Sequence, residues 1–423
     1  MNYSLTDKIF NVLSFYRLIL IAFVCCCLFF IAVLVKLSIL PSFIDEAILF
    51  GLFIYAVYKS QSDEVVKYVF LLYLFLFFLY ALLSYQAIAS RGIITVLLQI
   101  FIHLKYMLFF IFCWGTLGPK NSLTFIKVIL TISVVFLLIN LLTGGLFNTL
   151  FDTKVNLRAG SARPIGIQAD TGSLGTTFAL IGCLLVSGLK SSSNNIKITI
   201  LLAMTVLILI ASTRTALVLL PLVVLWWLRD SIKSFFIASI LLACSVFFIQ
   251  SSKYMDEMIN ITIENIEWTL EDPVASSYIR GIMIYFAFDL AADRFPFGTG
   301  AGTYGTVMSD NSAVYAEIGL QDSRYFIEKD GIYDSNFASL LGEFGFIGLF
   351  LYLFIFYRVI NAPFQNSQQW ESEGEFRFVL FSLVLAYGVT TPIFMNTYPA
   401  FILSLVMVAS FHCINNNSAS ENK

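Results

Sequence analysis

The chain has 423 residues, of which 59% are hydrophobic and only 12% charged, with a mean hydropathy of +0.85. Soluble proteins carry about 25% charged residues, so this composition points to a polytopic membrane protein. The net charge of −2 excludes a nucleic-acid partner, which would need a basic surface.

The cysteines, Cys25, Cys26, Cys27, Cys113, Cys183, Cys244 and Cys413, lie in or beside apolar runs and never in the long polar loops. They read as small hydrophobes packed among helices, not as a disulfide framework or a metal site. With His103 and His412 as the only histidines, a His-rich metal centre is excluded.

In chain order, the first apolar run, Arg17 to Leu37, has no small-residue cleavage site behind it and reads as a retained anchor. A span needs about 20 apolar residues. Candidates fall at Leu18–Val35, Phe43–Tyr58, Val66–Ser84, Ile93–Leu117, Leu123–Leu142, Thr171–Leu189, Ile196–Thr213, Thr215–Leu228, Phe235–Ile249, Phe337–Val359, Phe376–Phe394 and Tyr398–Cys413. The expected fold is therefore all-α, with about twelve transmembrane helices. Lys8, Arg17, Lys59, Lys67, Lys120, Lys127, Lys190, Lys197, Arg229, Lys233, Arg358 and Arg377 fall on one side under this count, against Lys36, Arg91 and Arg214 on short loops of the other. That asymmetry predicts cytoplasmic termini and two outward loops. The resulting division is N-terminal helices over 1–142, a first outer loop over 143–170, central helices over 171–249, a large and partly helical outer loop over 250–335, and C-terminal helices with a short tail over 336–423. No repeat suggests matched transporter halves.

Within the spans, Asp45 and Glu46 are expected as solvated interface residues near the outer end of the second helix. His103 and Lys105 sit mid-span on different helix faces, so at least one faces protein; a structural buried pair is the plain reading and a proton relay the sharper one. The first outer loop holds Arg158 and Arg163 among Gly, Ser and Pro, a basic collar able to contact phosphate or lipid headgroups. Ile196 to Leu228 would run roughly 50 Å as one helix against a hydrocarbon core of about 30 Å, so it must fold into two spans about a turn at Ser212-Thr213-Arg214-Thr215. Arg214 at that turn is either an anion ligand facing a cavity or a snorkelling side chain on lipid headgroups.

The large loop carries the remaining signals. Asp272-Pro273 predicts a helix start, with Asp as cap, running through Tyr278 and Arg280 and stopping before Pro296. Arg280 stands alone among apolar residues and calls for an anionic partner, with Asp289 and Asp293 spaced so as to leave it for something else. Gly300 to Gly305 spells G-x-G-x-x-G without a βαβ context, so it reads as a tight turn where backbone approaches a ligand or helix. Gly342, Gly345 and Gly348 at spacings of three predict close helix contact. Asp334, just before that helix, is either its N-cap or an acid/base group, and geometry favours the cap.

The order of these pieces carries a resemblance. A Ser-Thr-Arg-Thr turn is followed by Tyr-Ile-Arg-Gly, then Arg294-Phe-Pro-Phe-Gly-Thr-Gly-Ala-Gly-Thr-Tyr, Tyr-Asp-Ser-Asn-Phe and Leu-Gly-Glu-Phe-Gly-Phe-Ile-Gly-Leu. From Arg158 to Arg358 the chain resembles the bacterial O-antigen polymerase (Wzy-type) and O-antigen ligase superfamily. The resemblance implies a GT-C-like inner-membrane glycosyltransferase that needs no cofactor. Its partners would be undecaprenyl-pyrophosphate-linked oligosaccharide repeat units, membrane lipids and a chain-length regulator protein. It implies that Arg214 and Arg280 hold the pyrophosphate, with Arg163 as helper, and that Arg158, Tyr278, Arg294 and Asn336 contact substrate. Arg294 with Gly305 fits the R-x10-G pattern of polymerase loops. Ligases of this type carry a histidine where this chain has Asp334, which favours a polymerase.

The chemistry is consistent with these residues. Pyrophosphate is already an activated leaving group, guanidiniums stabilise the charge it develops, and a carboxylate such as Asp334 accepts the acceptor hydroxyl's proton. Direct attack inverts the anomeric centre. The rivals are an O-antigen ligase acting on lipid A core, a secondary transporter or flippase, and a non-catalytic assembly protein. A transporter would place charge pairs or broken helices at the midplane, whereas few charges lie at depth here.

Overall fold

In the computed structural model, the described residues are 44–150, 157–158, 161–162, 164–166, 171–188, 194–211, 215–219, 253–328, 331–364 and 374–421, with isolated positions at 24–25, 28, 30–31, 34–35 and 222. In chain order the helices are α1 (Ile44–Lys59), α2 (Glu64–Leu83), α3 (Tyr85–Arg91), α4 (Ile93–Phe112), α5 (Gly118–Leu142), α6 (Leu146–Leu150), α7 (Thr171–Gly188), α8 (Asn194–Ile210), α9 (Lys253–Glu271), α10 (Ile279–Asp293), α11 (Ala313–Glu317), α12 (Arg324–Ile327), α13 (Asn336–Asn361), α14 (Gly374–Thr390) and α15 (Thr397–Glu421). Among the described residues the fold is all-helical apart from a two-residue antiparallel ladder, β1 (Leu157–Arg158) with β2 (Ser161–Ala162), inside the first expected loop.

Among the described residues, three helical runs are long and apolar enough to cross a membrane: Glu64–Leu83, Ile93–Leu142 and Asn336–Phe364. Gly172–Leu185, Thr199–Ile210, Phe376–Thr390 and Thr397–Cys413 are shorter apolar helices. The expected spans Leu18–Val35, Thr215–Leu228 and Phe235–Ile249 lie wholly or largely outside the described residues.

The 50-residue run Ile93–Leu142 would be about 75 Å long if straight. It is divided, as the two expected spans require, by a π-turn at Cys113–Leu117 and by Gly118 at φ +71 with Pro119 behind it. On α2, Asp63 caps the N-terminus by accepting from the Val65 and Val66 amides. Val66, Val69, Tyr73, Leu76 and Tyr80 of α2 face the bundle at helical spacing, while Leu71, Phe75, Phe78 and Leu82 stay exposed. An exposed apolar stripe of that kind suits lipid rather than water. The first half of α15 is mostly apolar and packs against α4, α5 and α7; Ala400 to Ala409 are buried throughout.

Residues 253–328 and 331–335 form a helical subdomain that packs on α13. Its small core joins Ile282, Met283, Phe286 and Leu290 of α10 to Tyr304, Tyr315, Leu320 and Leu341. Arg91, at the end of α3, donates to the Met308 and Asp310 carbonyls at 2.5 and 2.7 Å and so ties the subdomain to the helices.

Candidate functional site

The centre of the site is a meeting of two helix starts. Arg280 is the second residue of α10, whose N-cap is Tyr278. Its Nε and one terminal nitrogen donate to Oδ2 of Asp334 at 3.2 and 2.8 Å, across 54 residues of sequence. Both side chains are 39% exposed, so the pair is reachable from outside the protein. Asp334 stands in a turn closed by its own amide on the Gly331 carbonyl at 3.2 Å.

Two sequence expectations are corrected here. The cap of α13 is Ser335, whose hydroxyl accepts from the Ala338 amide; Asp334 is engaged by the guanidinium instead. Both residues have cap chemistry, and the one in register with the helix wins. Asp272 does not start α10 either. Its carboxylate accepts from Ala275 in the turn that separates α9 from α10, and α10 begins at Ile279. Helix α9 itself was not anticipated.

Tyr278 and Gly281, on either side of Arg280 in sequence, line a groove of about 650 Å³ between α9 and α10, with Ile266, Leu270, Tyr285 and Phe288. Gly281 makes this packing possible: a Cβ there would come within 2.7 Å of both the Thr269 hydroxyl and the Tyr278 ring. The far side of the groove reaches Val389 at the end of α14. That end is a junction. Ser335 Oγ donates to the Gly388 carbonyl at 3.5 Å, and the hydroxyls of Thr390 and Thr215 meet at 2.8 Å. The residue after Asp334 and the residue after Arg214 are therefore both fastened within one turn of α14. Arg214 and Arg163 lie outside the described residues, and Arg158 is placed only as part of β1.

Other expected site residues stand elsewhere. Arg294 ends α10, about 21 Å along the helix from Arg280, and pairs with Glu317 at the surface. Asn336 is fully buried, with its side-chain oxygen accepting from the Phe394 amide at 2.8 Å. It fastens α13 to the turn between α14 and α15. Burial, followed by the hydrogen bond to Asp310, pushes the Tyr333 hydroxyl up, so this neighbour of Asp334 stays a protonated donor.

The residue that sequence reasoning missed is Glu343, fully buried in α13. Its Oε1 accepts from the amides of Gly302, Thr303 and Tyr304 at 2.8, 3.1 and 3.3 Å and from the Thr306 hydroxyl at 2.9 Å. Its Oε2 takes a 2.8 Å hydrogen bond from Nε2 of His103 on α4. The glycine-rich turn is thus an anion cradle filled by the protein's own carboxylate. The signal available in the sequence was a lone acidic residue inside an apolar span.

The same turn repairs a broken helix. Gly345 has φ +65, and α13 loses its regular ladder there. The Gly342 and Glu343 carbonyls accept instead from Thr299 and Gly300, at 2.9 and 2.7 Å. A Cβ on Gly345 would lie 2.3 Å from the Pro296 carbonyl oxygen. Of the glycines expected to admit a neighbouring helix, Gly342 admits the Tyr304 ring and Gly345 admits this turn, while Gly348 does meet a helix, its carbonyl accepting from the Tyr80 hydroxyl of α2 at 3.0 Å.

His103 and Lys105 are both buried, but each has its own partner. Lys105 donates to the Thr397 hydroxyl at 3.0 Å, and that hydroxyl donates to Asp45 at 2.6 Å. Asp45 is thereby drawn into the interior and is not simply a solvated interface residue.

No curated protein sequence matches the chain. Residues 199–353, a segment that begins in α8 and contains Arg280, Asp334 and Glu343, match the family model Wzy_C, described as O-antigen ligase. That match covers little more than a third of the chain and is consistent with a likeness to the O-antigen polymerase and ligase superfamily, whose members are glycosyltransferase-like enzymes.

Proposed function

We propose that this protein is a polysaccharide polymerase of the O-antigen or capsule type. It would transfer a glycan from undecaprenyl pyrophosphate to a hydroxyl of another lipid-linked repeat unit. The observation that carries this reading is the exposed Arg280–Asp334 pair beside an aromatic groove, inside the segment that matches the family.

A guanidinium held by one exposed carboxylate is ready for exchange. An arriving diphosphate offers more negative charge and several oxygens, so it draws Arg280 away from Asp334. The Asp334 carboxylate stands beside the reacting centre. The acceptor hydroxyl oxygen bonds to the anomeric carbon, the bond from that carbon to the phosphate oxygen breaks, and the hydroxyl proton passes to Asp334. The electron pair leaves with the diphosphate, whose growing charge Arg280 stabilises. Attack opposite the leaving group inverts the anomeric centre. The leaving group is activated already, so these steps need no metal or nucleotide.

Arg214 and Arg163 are proposed as further diphosphate ligands. The anchoring of Thr215 to Thr390, next to the groove residue Val389, supports the place of Arg214. Tyr278 and Tyr285 offer flat rings with polar edges to sugars. The site would face outward from a bacterial plasma membrane with both termini in the cytoplasm. The exposed apolar stripe of α2 supports a membrane setting.

The ligase reading also has an observation behind it, since the matching family is described as O-antigen ligase. The deciding experiment is reconstitution with defined lipid-linked repeat units. Extension of one unit by another supports the polymerase, and transfer only to lipid A core supports the ligase. In cells, replacement of Arg280 and separately of Arg214 by Ala should remove long-chain glycan. Normal polymer in both variants at normal protein levels would reject the assignment.

A further inference from the structure

Glu343 is hydrogen-bonded to neither Arg280 nor Asp334, yet its contacts link α13, which follows Asp334, to α10, which carries Arg280. On one side it belongs to α13, which begins just after Asp334. On the other, its carboxylate gathers the Gly302, Thr303 and Tyr304 amides and the Thr306 hydroxyl. The Tyr304 side chain then continues the connection. Its ring lies against Gly342, and its hydroxyl donates at 2.7 Å to the carbonyl of Met283, one turn beyond Arg280 on α10. His103 holds the second carboxylate oxygen from the helical bundle, with Phe344 packed edge-on to its ring. The Nδ1 of His103 has no hydrogen-bond partner among the described residues, so the ring serves Glu343 through Nε2–H.

We infer that Glu343 is a positioning residue: its carboxylate is the internal anion around which residues 299–306 fold, and Tyr304 transmits that placement to the α10 backbone next to Arg280. The distance from guanidinium to carboxylate at the surface is thus set from below by a pair that never meets substrate. Its bearing on catalysis rests on the reading of Arg280 and Asp334 as the reacting pair.

Hydrogen exchange on the purified full-length protein in lipid nanodiscs tests the placement without requiring any reaction. Glu343→Gln exchanges charge-assisted bonds for neutral ones, so amides 302–304 should exchange faster by about tenfold, and residues 279–287 should follow. Glu343→Ala should open both segments further. Tyr304→Phe cuts the link above the cradle and leaves the carboxylate's own bonds in place. It should speed exchange at 279–287 and leave 302–304 as in the wild type. This variant keeps the test decisive if the Glu343 variants fold poorly.

Wild-type exchange at 302–304 in Glu343→Gln, or at 279–287 in Tyr304→Phe, would overturn the inference. So would full glycan synthesis by a Glu343→Gln protein whose 279–287 segment has opened. Normal polymer in Arg280→Ala with the expected exchange pattern would instead remove the functional reading and leave the structural placement standing.

Discussion

Two carboxylates on one short stretch of chain, Asp334 and Glu343, each take a nitrogen partner from a distant element, and they live in opposite surroundings. The Asp334 pair is 39% exposed on both sides, whereas Glu343 and His103 are fully buried. An exposed ion pair contributes about 0–1 kcal/mol, so it can open for a competing anion at little cost. A buried pair that loses one member leaves the other without compensation, at about 3–5 kcal/mol. The same functional groups therefore serve exchange in one place and architecture in the other.

The sharpest way to break this contrast is Glu343→Ala. It strands three amides, a hydroxyl and an imidazole, and should lower stability by about 3–5 kcal/mol, read as a large drop in thermal midpoint in detergent. Asp334→Asn should do the reverse. Product formation should fall by about 10²- to 10⁴-fold in a reconstituted assay, while the thermal midpoint barely moves. A matched loss of stability in this variant would show that the surface pair is structural after all. Gly345→Ala puts a Cβ against the Pro296 carbonyl oxygen at a positive φ and should cost about 2–3 kcal/mol, measured by the same unfolding transition. The smallest effect belongs to Arg294→Ala. Its surface pair with Glu317 should contribute no more than about 1 kcal/mol, and polymer length on a gel should stay unchanged. Shortened polymer there would restore the loop-pattern role that the sequence suggests.

Much of the site was legible because charge is so rare in this chain. Arg280 and Asp334 stand out against apolar neighbours, and so did the need of Arg280 for an anionic partner. That the partner is Asp334 was not legible, since local spacing says nothing about contacts across 54 residues. The cap went to Ser335 because adjacent residues with the same chemistry differ only in helix register. The glycine triplet was read as a helix seam, but Gly345 adopts a positive φ and breaks its helix, which periodicity does not reveal. Glu343 was hidden inside that triplet. The membrane character followed from the scarcity of charge and from apolar runs long enough for a bilayer. Helix α9 was missed because it is too polar for a span: Glu264, Glu267 and Glu271 alternate with the exposed Ile263, Ile266 and Trp268.

The repair of α13 by Thr299 and Gly300 bears on biogenesis. A helix interrupted at Gly345 would bring bare carbonyls into hydrocarbon if it partitioned alone. Chains fold from the N-terminus as they leave the ribosome, and Thr299 and Gly300 are synthesised before Gly342 and Glu343. The stopper is made before the gap it fills arrives, so vectorial synthesis spares the nascent protein an exposed break.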